Sequence, residues 1–373
     1  MQYGDTHTNT RSWQHWIRLI AVSLILLVWW QPLPALALPA GNAITDGRTI
    51  LRQALPITEP KIRVLDETLS RIDQDLKYNR WSVTRADVKA AQQVVGQQAP
   101  SLIAQLPVPQ QTIAQTQVQQ IQQHLLSLQE QLNRKSKGKE DARLAYDEVL
   151  TSLEAFEQNW LGDFPYELPA SYADLPRLLG RAEVELVTTA GTMYLTLDGY
   201  SAPLTAGNFA DLVQKGFYDG LGFDRVEDFY VIQAGDPPGP ADGYVDPTLH
   251  ETRTIPLEIR AKGELKPRYG KTFEEWGIWD AEPALPFSVE GTVAMARYPD
   301  DNNSASSQFF IFLAEPDLTP AGLNLMDGRY AAFGYVTQGQ EVMVKIKKED
   351  HIVSARLIAG SEHLQAGSLQ PVA

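Results

Sequence analysis

Phe223-Asp224-Arg225-Val226, followed at a spacing of seven by Gln233-Ala234-Gly235-Asp236, lies at the centre of a region built on a period of two. That period marks half-buried strands. It is clearest at residues 182–187 and 193–197, which flank Ala190-Gly191 and read as a hairpin. Further strand-like runs cover 229–233, 291–295, 308–313, 331–336 and 351–358. Only two helices intrude, at 205–214 and 341–345. Many short strands with few helices predict a mainly-β, closed antiparallel barrel over residues 181–373.

Toward the N-terminus the pattern changes twice. Residues 162–180 are dense in proline and aromatics (Phe164-Pro165-Tyr166, Pro169, Tyr172, Pro176), which favours an extended, semi-rigid connector. Residues 42–161 read as an all-α helical bundle. Pro60 suits a first helical turn and is followed by Leu65, Leu69, Ile72 and Leu76 at spacings of three and four. A second helix is predicted over 83–98, ended by Pro100. A third covers 110–132, where Val118, Ile121, Leu125, Leu128 and Leu132 form a narrow seam flanked by glutamines. A last helix runs through Leu144, Val149, Leu153, Phe156 and Trp160. The chain therefore reads as multi-domain.

Residues 1–37 read as a signal peptide. Arg11 and Arg18 precede an apolar run at 19–30 broken only by Ser23, and Ala35-Leu36-Ala37 gives an A-x-A cleavage pattern near Ala37. The run is shorter than the roughly 20 residues a membrane span needs. An uncleaved anchor is the alternative, and either way the protein is expected to be exported, with at most peripheral membrane contact. The net charge of −14 repels phosphate backbones, so no nucleic acid partner is expected. Absence of cysteine excludes disulfides, thiolate metal sites and thiol catalysis. The histidines show no metal-binding spacing, so neither a metal nor another cofactor is expected.

The opening blocks resemble the F-H-R and Q-G-G-D elements of the cyclophilins. The similarity continues in order through Ala202-Pro203-Leu204-Thr205-Ala206-Gly207-Asn208-Phe209, Gly291-Thr292-Val293-Ala294-Met295-Ala296, Ser306-Ser307-Gln308-Phe309-Phe310-Ile311, Met326-Asp327-Gly328-Arg329-Tyr330 and Phe333-Gly334. The helical half, Asp163-Phe164-Pro165-Tyr166-Glu167 and an insertion at 260–285 look like the large thylakoid-lumen cyclophilins of plants and cyanobacteria. The resemblance implies a peptidyl-prolyl cis-trans isomerase in the thylakoid lumen, or a periplasm, acting on proline-containing segments of photosystem II lumenal proteins.

Carried over position by position, the resemblance implies that Arg225 and Gln233 are catalytic. Arg225 would donate to the prolyl nitrogen of the twisted amide, and Gln233 would hold the substrate carbonyl. Phe310, Tyr230 and Val231 would form the proline pocket, with Met326 and Tyr330 closing its side. The Arg297 backbone would pair with the peptide strand, Ala296 and Gln308 would also bind the substrate, and Leu325 stands where the family carries a rim tryptophan. That substitution, with Tyr230 for Phe and Tyr330 for His, implies weak cyclosporin binding and reduced turnover. It also supports a second reading, a proline-binding scaffold or chaperone with little turnover, regulated by its helical domain. The short connector predicts that the bundle contacts the barrel, since short tethers impose millimolar effective concentrations. On this expectation the bundle restricts the Arg225 cleft.

Overall fold

The computed structural model describes residues 46–134, 139–313 and 324–367, so the signal peptide 1–37 lies outside the described residues. Helix α1 (Gly47–Ala54), which the sequence reading did not anticipate, starts where Asp46 accepts hydrogen bonds from the Thr49 N–H (3.0 Å) and hydroxyl (2.8 Å). Helices α2 (Pro60–Lys77), α3 (Trp81–Ile103), α4 (Val108–Asn133) and α5 (Lys139–Glu157) follow. Their buried stripes, including Leu65, Leu69, Val88, Val95, Ile121, Leu125, Val149 and Leu153, share one apolar core.

Two expectations for these helices need correction. Pro100 does not end α3, which runs to Ile103. A proline in the last turn removes one backbone bond, and the fully buried Leu102 continues the seam of Val88, Ala91, Val95 and Ala99 beyond it. Leu144 is 56% exposed, and Ala142, Ala145, Tyr146 and Leu150 join Val149 and Leu153 in the core. A separation of five residues puts Leu144 and Val149 on different faces of a helix.

The second half is an eight-stranded antiparallel sheet of order β11-β2-β3-β10-β8-β9-β5-β4. These strands are β2 (Arg181–Thr188), β3 (Gly191–Asp198), β4 (Phe223–Glu227), β5 (Val231–Ala234), β8 (Thr292–Met295), β9 (Phe309–Phe312), β10 (Ala332–Gln338) and β11 (Ile352–Ala359). Short pairs, β1 (Arg177–Leu178) with β12 (Leu364–Gln365) and β6 (Glu258–Ile259) with β7 (Arg268–Tyr269), lie outside it. The inner face, with Leu195, Ile232, Phe309, Ile311 and Phe333, packs on helix α6 (Pro203–Gln214) through Phe209 and Leu212. Among the described residues one further α-helix, α7 (Gln340–Met343), follows β10.

The barrel is not closed as expected but open, a curled sheet with β4 and β11 as edges. At one corner, where β4 begins, the edges are linked by the Gly222–His351 bridge and by backbone hydrogen bonds from Gly220 to Ile352 (2.7 Å), Ile352 to Leu221 (2.8 Å) and Phe223 to Asp350 (3.4 Å). The strand bulges between Phe223 and Arg225, and such a bulge bends a strand away from further pairing.

The N-terminal helical half meets the sheet half at Tyr200 and at α1. Tyr200, in the turn after β3, is buried in the helical core and stacks on Phe164 at 5.9 Å. The Tyr166 hydroxyl donates to the Tyr200 carbonyl at 3.1 Å, which fixes the connector. Elsewhere Ile50, Leu51 and Ala54 of α1 pack on the outer face of the sheet, in one cluster with Phe287, Phe310 and Tyr335. Two arginines then grip the end of α1. Arg181 donates to the Leu51 carbonyl, and Arg260 donates to the Ala54 carbonyl at 2.5 Å. The last carbonyls of a helix have no partner within it and carry its negative end, so both contacts are favourable.

A buried carboxyl starts α6. Glu258 accepts from the Leu204 N–H (3.2 Å), the Thr205 N–H (2.8 Å) and the Thr205 hydroxyl (2.8 Å). Burial pushes its pKa up to about 7, against the downward pull of those hydrogen bonds. A folded value above the unfolded one means that folding takes up a proton, so this contribution is full below about 4.3 and lost as pH rises through about 7. The urea midpoint of the natural protein is therefore expected to fall between pH 5 and pH 8 more than that of Glu258→Gln. Equal pH dependence of the two proteins would show that Glu258 is ionised throughout.

Candidate active site

Four of the strands set one row of side chains across the outer face of the sheet. The cross-strand partners run Arg225 to Gln233, Gln233 to Phe310 and Phe310 to Ala294. Directly paired residues share a face, so Arg225, Gln233 and Phe310 project to the same side. Alternation sends Phe309 the other way, into the inner core. Arg225 reaches this face through the β4 bulge. Phe223 and Arg225 are two apart and would share a face in a regular strand, yet Phe223 is buried in the inner core. Gly235, next after β5, has φ of 105°, and a Cβ there would come within 2.4 Å of the Ser307 carbonyl. Only glycine lets the two segments approach this closely.

This face opens into a cleft of roughly 1060 Å³. All eleven residues singled out from the sequence line it: Arg225, Gln233, Tyr230, Val231, Ala296, Arg297, Gln308, Phe310, Leu325, Met326 and Tyr330. Phe310 forms an apolar wall, stacked with Phe287 at 6.0 Å and meeting Tyr330 edge-on at 5.6 Å. Val231 and Met326 are buried beside it, while Leu325 is 82% exposed. Tyr330 is also covered by the Arg297 guanidinium at 5.0 Å, which donates to the Arg329 carbonyl.

The polar side of the cleft is an ordered chain. Gln233 Nε2 donates to Gln308 Oε1 at 2.8 Å, and Gln308 Nε2 donates to the Asp242 carbonyl at 3.0 Å and to Asp236 at 3.2 Å. One of the two N–H donors on Gln233 is committed to Gln308 by this arrangement. The Ala296 N–H is taken by the Gln308 carbonyl at 2.9 Å. Arg225 Nε donates to Glu227 at 2.7 Å, which holds the Glu227 carboxyl below its usual range. The Arg225 guanidinium also faces the Tyr230 ring at 5.5 Å.

The sequence reading missed several residues here. Phe287 and Asp242 come from loops without a periodic signal. The run Asp300-Asp301-Asn302-Asn303-Ser304 was expected to lie along the cleft, with a plain polar turn as the alternative, and its Asp301, Asn303 and Ser304 line it. The expectation that the bundle restricts the cleft is not met among the described residues. Every lining residue belongs to the segment from Arg225 to Tyr330, and α1 lies against the apolar layer behind Phe310 instead.

Comparison with known proteins bears on both halves. Residues 183–359 match the cyclophilin type peptidyl-prolyl cis-trans isomerase family. Residues 46–160 match the PsbQ-like domain of CYP38-like peptidyl-prolyl cis-trans isomerases. A Synechocystis sp. protein named as a thylakoid lumen peptidyl-prolyl cis-trans isomerase is 45% identical over 338 residues, spanning 91% of this chain and 89% of its own. The chloroplastic isomerase CYP38 of Arabidopsis thaliana is 37% identical, over 87% of this chain and 76% of its own. With an outward row of Arg225, Gln233 and Phe310 on such a sheet, the chain belongs to the cyclophilin-type peptidyl-prolyl cis-trans isomerases that carry an N-terminal PsbQ-like helical domain.

Proposed function

We propose that this isomerase works in the thylakoid lumen on proline-containing segments of photosystem II lumenal proteins, with Arg225 as the catalytic donor. The observation that carries the mechanism is the cross-strand row in which Arg225, Gln233 and Phe310 share one face and one cleft. An X–Pro amide meets a rotation barrier of about 18–20 kcal/mol, because the nitrogen lone pair is delocalised into the carbonyl. In the twisted state that lone pair is localised and accepts a hydrogen bond. A donor placed there favours the twisted state over the planar one, and that difference is what accelerates rotation.

Arg225 suits the task because a guanidinium stays charged at any working pH and is a rigid fork. The second N–H of the Gln233 amide is the donor for the substrate carbonyl. The proline ring lies against Phe310, Val231, Met326 and Tyr230, which fix the amide while one end turns. Rotation makes and breaks no covalent bond, so no acid, base or nucleophile is needed. The lumenal setting is supported by the names of the Synechocystis and Arabidopsis relatives, and the photosystem II substrates by the family resemblance.

Full-length protein added to an Ala–Pro peptide tests the reading by exchange spectroscopy. Uncatalysed exchange takes about 10–100 s, so acceleration by catalytic amounts is easily measured. Peptide binding without acceleration would replace the isomerase reading with that of a proline-binding scaffold.

A further inference from the structure

Glu227 stands two residues beyond Arg225 on β4, directly across from Val231. Past the bulge β4 is regular, so Glu227 and Arg225 point to the same side. Glu227 Oε1 takes the hydrogen bond of Arg225 Nε at 2.7 Å, while the Tyr230 ring lies 5.5 Å from the guanidinium carbon. The planar group is thus held at one edge and on one face. Its two Nη atoms are left for the cleft, which Arg225 lines and Glu227 does not. Glu227 therefore does not compete with the substrate for the space the guanidinium overlooks.

Both side chains are about half exposed, 47% for Arg225 and 50% for Glu227. An ion pair so placed contributes little to stability. What it changes is orientation. A free arginine on an edge strand samples many rotamers, and each misplaced one lacks the donor that the twisted amide needs. We propose that Glu227 is the positioning residue of this isomerase, holding Arg225 against Tyr230 so that its Nη edge faces the prolyl nitrogen before substrate arrives. The proposal rests on Arg225 as the catalytic donor. Orientation set in this way acts on the twisted state and not on peptide affinity, so its loss appears in kcat.

The test is a double-mutant cycle in the full-length protein, with an Ala–Pro peptide as the probe. Glu227→Ala is expected to lower kcat about fivefold or more, with KM and the melting temperature unchanged. Glu227→Gln, whose amide oxygen still accepts from Nε, is expected to recover at least half of the lost rate. Adding Glu227→Ala to Arg225→Ala is expected to cost nothing further, because residues acting through one another are not additive. Wild-type kcat in Glu227→Ala, or an equal loss in both backgrounds, would overturn the assignment of Glu227 alone. An Arg225→Ala variant with full activity would instead overturn the catalytic reading on which it stands.

Discussion

The Arg225→Ala variant is expected to isomerise X–Pro peptides about a hundred times more slowly than the natural protein, the loss typical of one donor to a transition state. It is expected to melt at the same temperature. Arg225 projects from the outer face and its ion partner among the described residues is the exposed Glu227, so its removal opens no cavity. A protease-coupled or exchange assay measures the rate, and circular dichroism the melting. A rate within twofold of wild type would leave the twisted amide without its proposed donor. The cleft would then act through its apolar wall alone.

The second large effect is expected at Leu51, far from the reacting amide. Leu51 is 3% exposed and shares an apolar cluster with Phe287, Phe310 and Tyr335. Truncation of such a leucine costs about 2–5 kcal/mol, and Leu51→Asp adds the penalty of a buried charge. Phe287 stacks on Phe310 inside that cluster, so loosening α1 also loosens the pocket wall. Leu51→Asp is therefore expected to melt at a lower temperature and to lose isomerase activity. This is the reverse of what a bundle shielding the cleft would give. A destabilised but faster Leu51→Asp would restore the shielding view.

Most of the site was legible because its residues fall in short ordered blocks. Once Gln233 and Phe310 are assigned to neighbouring strands, a period of two decides which side chains share a face. Alternation puts one of Phe309 and Phe310 on each face, and the resemblance to the cyclophilin motif decides that Phe310 is the outward one. Arg225 is different. Strict alternation from the buried Phe223 would send it inward, and only the bulge turns it to the cleft. A bulge depends on the partner strand, which a linear pattern does not contain.

The same reason explains α1. Eight residues with no long apolar repeat gain their order from the sheet they lie on and from Arg181 and Arg260, far along the chain. The open edge between β4 and β11 is a matter of curvature, which short strand signals do not reveal. The acidic loop residue Asp242 reaches the cleft through a backbone turn and was readable only as a polar spacer.

The grip of Arg181 and Arg260 on α1 also orders the events of folding. Arg181 lies 130 residues beyond Leu51, and Arg260 lies 206 beyond Ala54. Contacts this distant form late, since the intervening chain has to be organised before its ends can meet. During synthesis, α1 emerges ahead of everything it rests on. Helices α2 to α5 can close on each other while α1 waits for the sheet. Among the described residues the first helix made is then the last to settle, and until it does the wall behind Phe310 is unfinished.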